Sequence, residues 1–153
     1  MRIAILVNVA VYSLVVSQPL SYLLALTKVQ SALSAPAYIE LRQRINAAMN
    51  RSVPPVYVAA LLLNIVVLFL ASRAGAGLVA ATTTVALLCL LIDAFFMIRK
   101  NVPINGVMDA WSTTDYPGDW ERYRAMWFEI FGYRQAALVL GFASLLIGAI
   151  YGA

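Results

Sequence analysis

The sequence predicts an all-α protein, a four-transmembrane-helix bundle with short amphipathic interfacial helices in the first and third connections. Three observations carry that expectation. The 153 residues are 63% hydrophobic and 12% charged, well above the apolar share of about one half that is usual for soluble domains. Four apolar stretches, residues 3–26, 54–72, 77–99 and 132–152, approach the roughly 20 residues that cross about 30 Å of hydrocarbon. Basic residues gather on one side of that topology: Arg2 and Arg73 fall on one face, whereas Lys28, Arg42, Arg44, Arg51, Arg99, Lys100, Arg122, Arg124 and Arg134 fall on the other. The second face is therefore expected to be cytoplasmic, with both termini outside. What lies between the spans is too short for a second domain, so residues 1–153 are expected to form one integral membrane domain, in a bacterial inner membrane.

The net charge of +4 and a pI near 9.5 fit this topological signal. No aromatic-basic sheet or recognition-helix pattern accompanies the charge, which argues against a nucleic-acid partner. There is no histidine, so the usual haem and zinc ligand and the usual neutral-pH acid–base group are missing. Cys89 is the only cysteine and lies within the third span, which excludes a disulfide inside the chain. No metal or cofactor is expected.

In the first span, Met1 and Arg2 precede an apolar run as in a secretory signal. Pro36 follows the one candidate cleavage site, Ser34-Ala35, so the expectation is a retained helix. Asn8, Tyr12, Pro19 and Tyr22 fall close to one face, and Pro19 frees the Val15 carbonyl and marks a kink. Gln18 and Tyr22 are candidates to line a cavity, since an amide in hydrocarbon needs a partner. From Pro36 to Asn50, Tyr38, Leu41, Ile45 and Met49 recur at helical spacing, with Glu40, Arg42, Gln43 and Arg44 facing elsewhere. That predicts a helix on the membrane surface over 36–50, with Pro54 and Pro55 starting the second span.

Asn64 sits mid-span in the second helix, and Gly75 and Gly77 punctuate the turn into the third. Asp93 follows, about one and a half turns before Arg99. A carboxylate at that depth must be paired or face water. Two readings stay open: an ion pair with Arg99, Lys100 or a base on the last helix, or a proton acceptor facing a cavity. Pro103 opens a short interfacial helix over 103–111, Pro117-Gly118 turns the chain, and Asp119 is placed to cap the last helix, which begins near 119. On it, Trp120, Arg124, Trp127, Phe131 and Arg134 stand four, three, four and three apart, forming one stripe of guanidinium groups and rings.

Pro103-Ile104-Asn105, then Trp120, then Trp127 followed seven residues later by Arg134 before a small-residue apolar helix, resembles the anthrone oxygenase-like family of small membrane proteins. The resemblance implies a four-helix membrane fold and, as in some fungal members, cofactor-free oxidation of an anthrone to an anthraquinone by dioxygen, a monooxygenase-type reaction. The chain departs from the family pattern at Phe131 and Gly132, where many members carry asparagine or histidine, and at Gly106.

Such chemistry needs a base, an anion clamp and an aromatic enclosure. Asp93 is the candidate base, Arg124 and Arg134 the clamp for a developing phenolate, and Asn105 the group that fixes a carbonyl. Trp120, Trp127, Phe131 and Tyr133 are candidates to enclose the rings of an anthrone- or quinol-like substrate. Interfacial enrichment of Trp, Tyr and Arg accounts equally well for the stripe. Two other functions therefore stand beside the oxidoreductase: a non-catalytic binder of a quinone or lipid, and a small structural subunit in a homo-oligomer or membrane complex.

Overall fold

The computed structural model describes residues 1–152, the side chain of Pro19 excepted, so the predicted Pro19 kink lies outside the described residues. The order is α1 (Arg2–Ser21), a π-helical segment (Tyr22–Leu26), α2 (Thr27–Ser31), α3 (Ala35–Arg73), α4 (Gly77–Phe96), a second π-helical segment (Met97–Asn101), α5 (Val102–Asp109) and α6 (Trp120–Tyr151). No strand occurs among the described residues. The π segments join their neighbours into longer rods, giving four helices long and apolar enough to cross a membrane: Arg2–Ser31, Ala35–Arg73, Gly77–Asp109 and Trp120–Tyr151. They form a ring in which α1 packs on α3 and α6, and α4 packs on α3 and α6.

The structure replaces the two separate interfacial helices with extensions of the rods. Residues 36–50 belong to α3, which runs unbroken for 39 residues, about 58 Å, with Pro54 and Pro55 inside it. Consecutive prolines remove the donors for the carbonyls of Asn50 and Arg51. Both residues are exposed, so the freed carbonyls lie at the surface and the helix continues. Tertiary contact reinforces the first half of α3. The Gln43 side-chain amide donates to the backbone carbonyls of Met108 (3.2 Å) and Trp111 (2.8 Å), which ties α3 to the end of α5. The helix expected over 103–111 is likewise continuous with α4 through the second π segment, as α5.

Three apolar layers stack along the bundle. Ile5, Val67, Ala71 and Val79 close one end; Tyr12, Val16, Ala60, Leu90, Leu138 and Leu145 fill the middle; Tyr22, Tyr38, Ile104, Met108, Trp127 and Phe131 close the other. In the turn between α3 and α4, Gly75 adopts φ +68° and the Ala76 amide reaches back to the Ala71 carbonyl at 3.0 Å. A residue with a Cβ rarely takes that conformation. Asp119 precedes α6 as expected, but its side chain makes no capping bond, and the turn is closed by the Trp120 amide on the Pro117 carbonyl at 3.1 Å.

α4 and α6 approach closely because α6 carries glycine where they meet. A Cβ at Gly141 would crowd Cys89 Cβ of α4 at 3.0 Å and collide with the Tyr12 hydroxyl of α1, and one at Gly148 would collide with the Thr82 hydroxyl of α4. Ser144 Oγ donates to the Thr82 carbonyl at 3.0 Å in the same seam. Gly141→Leu is therefore expected to destabilise the purified protein by about 1–3 kcal/mol, read from thermal unfolding, with little effect from the same change at Gly132, where the space is open.

Candidate functional site

Between the middle layer and the layer containing Trp127, polar side chains from all four rods meet. Asp93 of α4 is fully buried, and Arg134 of α6 is 9% exposed. The Arg134 guanidinium donates from Nε to Asp93 Oδ1 at 2.8 Å, from Nη2 to Oδ2 at 3.3 Å, and from Nη1 to Asn101 Oδ1 at 3.1 Å. The Tyr57 hydroxyl lies 3.0 Å from Asp93 Oδ2 and 2.5 Å from the Leu90 carbonyl, so one proton serves two acceptors. Of the two sequence readings of Asp93, the geometry supplies the ion pair with the last helix. It does not involve Arg99 or Lys100, which are exposed.

A second polar group lies one layer away. Asn105 of α5 is its hub: Oδ1 accepts from Arg42 Nη2 at 3.1 Å and from the Trp127 indole at 3.0 Å, and Nδ2 donates to Asn46 Oδ1 at 3.1 Å. Asn46 Nδ2 in turn donates to the Asp109 carboxylate at 2.5 Å. Arg42 is 3% exposed. Its Nη1 donates to the Tyr22 hydroxyl at 3.1 Å, and its guanidinium carbon lies 3.9 Å over the Trp127 ring. Gln30 Nε2 also donates to the Tyr22 hydroxyl. Tyr38 packs nearby, in the part of α3 that precedes Pro54.

The two groups border a cavity of about 360 Å³ lined by Gln18, Arg42, Asn46, Tyr57, Asn101, Asn105, Trp127, Phe131 and Arg134, with apolar walls from Ile45, Met49, Val53, Val58, Met97 and Val102. A smaller lobe of about 260 Å³ lies between α1 and α3 and reaches Asp93. Gln18, Met49, Val53, Tyr57 and Arg134 border both. Val58 and Val102 at the rim of the larger lobe, and Leu14 at the rim of the smaller, are at least half exposed. Both lobes thus open among exposed apolar side chains.

The structure brings together Asp93, Arg134, Asn105, Trp127, Phe131 and Gln18. Tyr22 stands behind Arg42 and does not line the cavity. Trp120 and Arg124 lie elsewhere: Arg124 stacks over Trp120 at 4.5 Å, pairs with Glu121 at 3.4 Å and donates to the Leu33 carbonyl at 3.2 Å. Tyr133 is 56% exposed and stacks on Phe96, away from the cavity. The stripe divides because its neighbours change along α6: the first turns pack on the Leu33 region and Trp111, and only from Trp127 onward does this face meet the cavity. Of the connection from Asn101 to Trp120, Asn101, Val102 and Asn105 line the cavity and residues Ser112–Gly118 do not.

Trp127 does not offer a free ring face. It is 3% exposed, with Arg42 over the ring and Phe131 stacked at 4.6 Å and 18°. Its role is to hold Arg42 and Asn105 in place. Arg42, Asn46, Tyr57 and Asn101 are site residues missing from the sequence reading, which turned Arg42 outward. The signal was present, since Arg42 stands four residues after Tyr38 and three before Ile45, on the face those residues define. Among the described residues no three His, Cys, Asp or Glu side chains gather as a metal site. No family model, no curated protein and no solved structure matches this chain.

Proposed function

We propose that the protein is an integral membrane protein that takes a flat aromatic molecule of the anthrone or quinol class from the bilayer and promotes its oxidation by dioxygen by stabilising its anion. The observation that carries this reading is the cavity: guanidinium and amide groups line its interior, its rim is exposed apolar surface, and about 360 Å³ falls within the roughly 300–1,000 Å³ of small-molecule sites. Lateral entry follows from a mouth that would face lipid. The end of the bundle that holds Arg42, Arg44, Arg51 and Arg122 carries the excess of basic residues, which supports a cytoplasmic placement for it and an outward placement for both termini.

On this reading Asp93, the one carboxylate lining either lobe among the described residues, takes the benzylic proton, and Arg134 stabilises the resulting phenolate. The electron-rich anion then reacts with dioxygen directly. The methylene carbon loses four electrons and becomes a carbonyl; one oxygen atom enters that carbonyl and the other leaves as water. Purified protein incubated with an anthrone in air is expected to form anthraquinone faster than buffer, with one dioxygen consumed per product. An Asp93→Asn, Arg134→Ala double variant is expected to lose about 100-fold of that acceleration. Full activity in the double variant, or no acceleration by the wild type, contradicts the oxidative step.

Non-catalytic binding of a quinone or quinol is the second reading, favoured by one fact: both Asp93 oxygens are already engaged, by Arg134 and Tyr57. Native mass spectrometry of gently extracted protein separates the two. A retained small aromatic molecule without turnover supports the binder.

A further inference from the structure

Arg42 is a buried cation without a buried anion. Arg134, the other guanidinium lining the cavity, is matched by Asp93 at 2.8 Å. Arg42 makes no ion pair among the described residues, and both acceptors it reaches, the Tyr22 hydroxyl and the Asn105 amide oxygen, are neutral. Its Nε is buried with no acceptor at all. The nearest carboxylate on its network, Asp109, is exposed and separated from it by the side chains of Asn105 and Asn46. Withdrawing a guanidinium from water without a counter-charge is costly, and a ring face at 3.9 Å compensates only part of that cost. Arg42 nonetheless lines the larger lobe, beside Asn46 and Asn105.

We infer that this end of the cavity is an anion subsite, and that the ligand binds with one negative charge on oxygen, as a carboxylate or phenolate, set against Arg42. The inference rests on the proposed binding of an amphiphilic molecule from the bilayer and names its charge. The body of the ligand lies along Met49, Val53 and Val58, and its charged edge meets Arg42 and the two amides. Arg134, paired with Asp93, is left to the charge that the proposed oxidative step develops. The same chemistry is offered by a flat aromatic anion and by the headgroup of an anionic lipid.

The test uses the full chain in nanodiscs of zwitterionic lipid, titrated with anthracene carboxylate and with its uncharged anthracenemethanol counterpart, against empty discs. The wild type is expected to prefer the carboxylate by about tenfold or more. Asn105→Asp places a carboxylate where Arg42 already donates, at nearly unchanged shape, and is expected to bring that preference close to one. Arg42→Gln serves as the second variant, with the same expectation by a different route. No preference in the wild type, or a preference that survives in both folded variants, overturns the inference. Displacement of the carboxylate probe by phosphatidylglycerol in the disc assigns the subsite to a lipid headgroup. Failure to displace assigns it to the aromatic anion, and either result upholds the anion site. Loss of the dioxygen reaction with the preference intact sinks only the oxidative reading. Tight binding of the uncharged probe without charge preference sinks only this one.

Discussion

Arg134→Ala in a chain that keeps Asp93 is expected to destabilise the protein by about 3–5 kcal/mol, a loss large enough to lower its yield sharply. The carboxylate is fully buried, and Arg134 supplies two of its hydrogen bonds and all of its counter-charge. The remaining bond, from the Tyr57 hydroxyl, is shared with the Leu90 carbonyl and cannot replace a cation. Adding Asp93→Asn to the same chain is expected to restore most of the loss, because an uncharged amide no longer needs the guanidinium. Thermal or denaturant unfolding of the four chains of this double-mutant cycle measures the coupling directly. Near-additive losses would contradict the pairing.

Asn105→Leu is expected to cost on the order of 3 kcal/mol and to abolish ligand binding at the Arg42 end. One side chain satisfies three others: it accepts from Arg42 and from the Trp127 indole, and donates to Asn46. Leucine matches its size but removes the partner of Arg42 Nη2, of the Trp127 indole and of Asn46 Oδ1, the first two on residues that are 3% exposed. Trp127 reports the change without a label, since losing the indole hydrogen bond and the ordered guanidinium over its ring alters its emission. An unfolding midpoint within experimental error of wild type, with unchanged emission, would remove Asn105 from its place as hub.

The long apolar runs made the four rods legible in the sequence, because their length and composition are local properties. Their true ends were less so. The amphipathic spacing of Tyr38, Leu41, Ile45 and Met49 predicts a surface helix over 36–50, and Pro54 and Pro55 mark a new start after it. What carries α3 through that point is tertiary, the packing of Tyr38, Ile39 and Arg42 and the hold of Gln43 on the carbonyls that end α5. The same assignment turned Arg42 toward water, since a guanidinium in an amphipathic pattern is ordinarily solvated. Its burial depends on Trp127 and Asn105, more than 60 residues away in the chain. Periodicity along α6 picked out Trp127, Phe131 and Arg134 together with Trp120 and Arg124, and could not say where along one face the neighbours change. The membership of the cavity from α1, through Gln18, was legible because an amide in an apolar span needs company. The pairing of Asp93 was legible only as one of two choices, because the register between α4 and α6 is set by Gly141, Gly148 and the side chains they admit.

The central claim is that an amphiphilic aromatic molecule occupies the space between the rods, against Arg42, Asn105 and Arg134. Val53 borders both lobes and is partly exposed, so Val53→Trp fills the space without touching either polar group. Titration of anthracene carboxylate into nanodiscs carrying this variant tests the claim most directly. The account predicts that saturable binding is lost while the unfolding midpoint stays near that of the wild type; binding as tight as wild type in a folded Val53→Trp chain would contradict it.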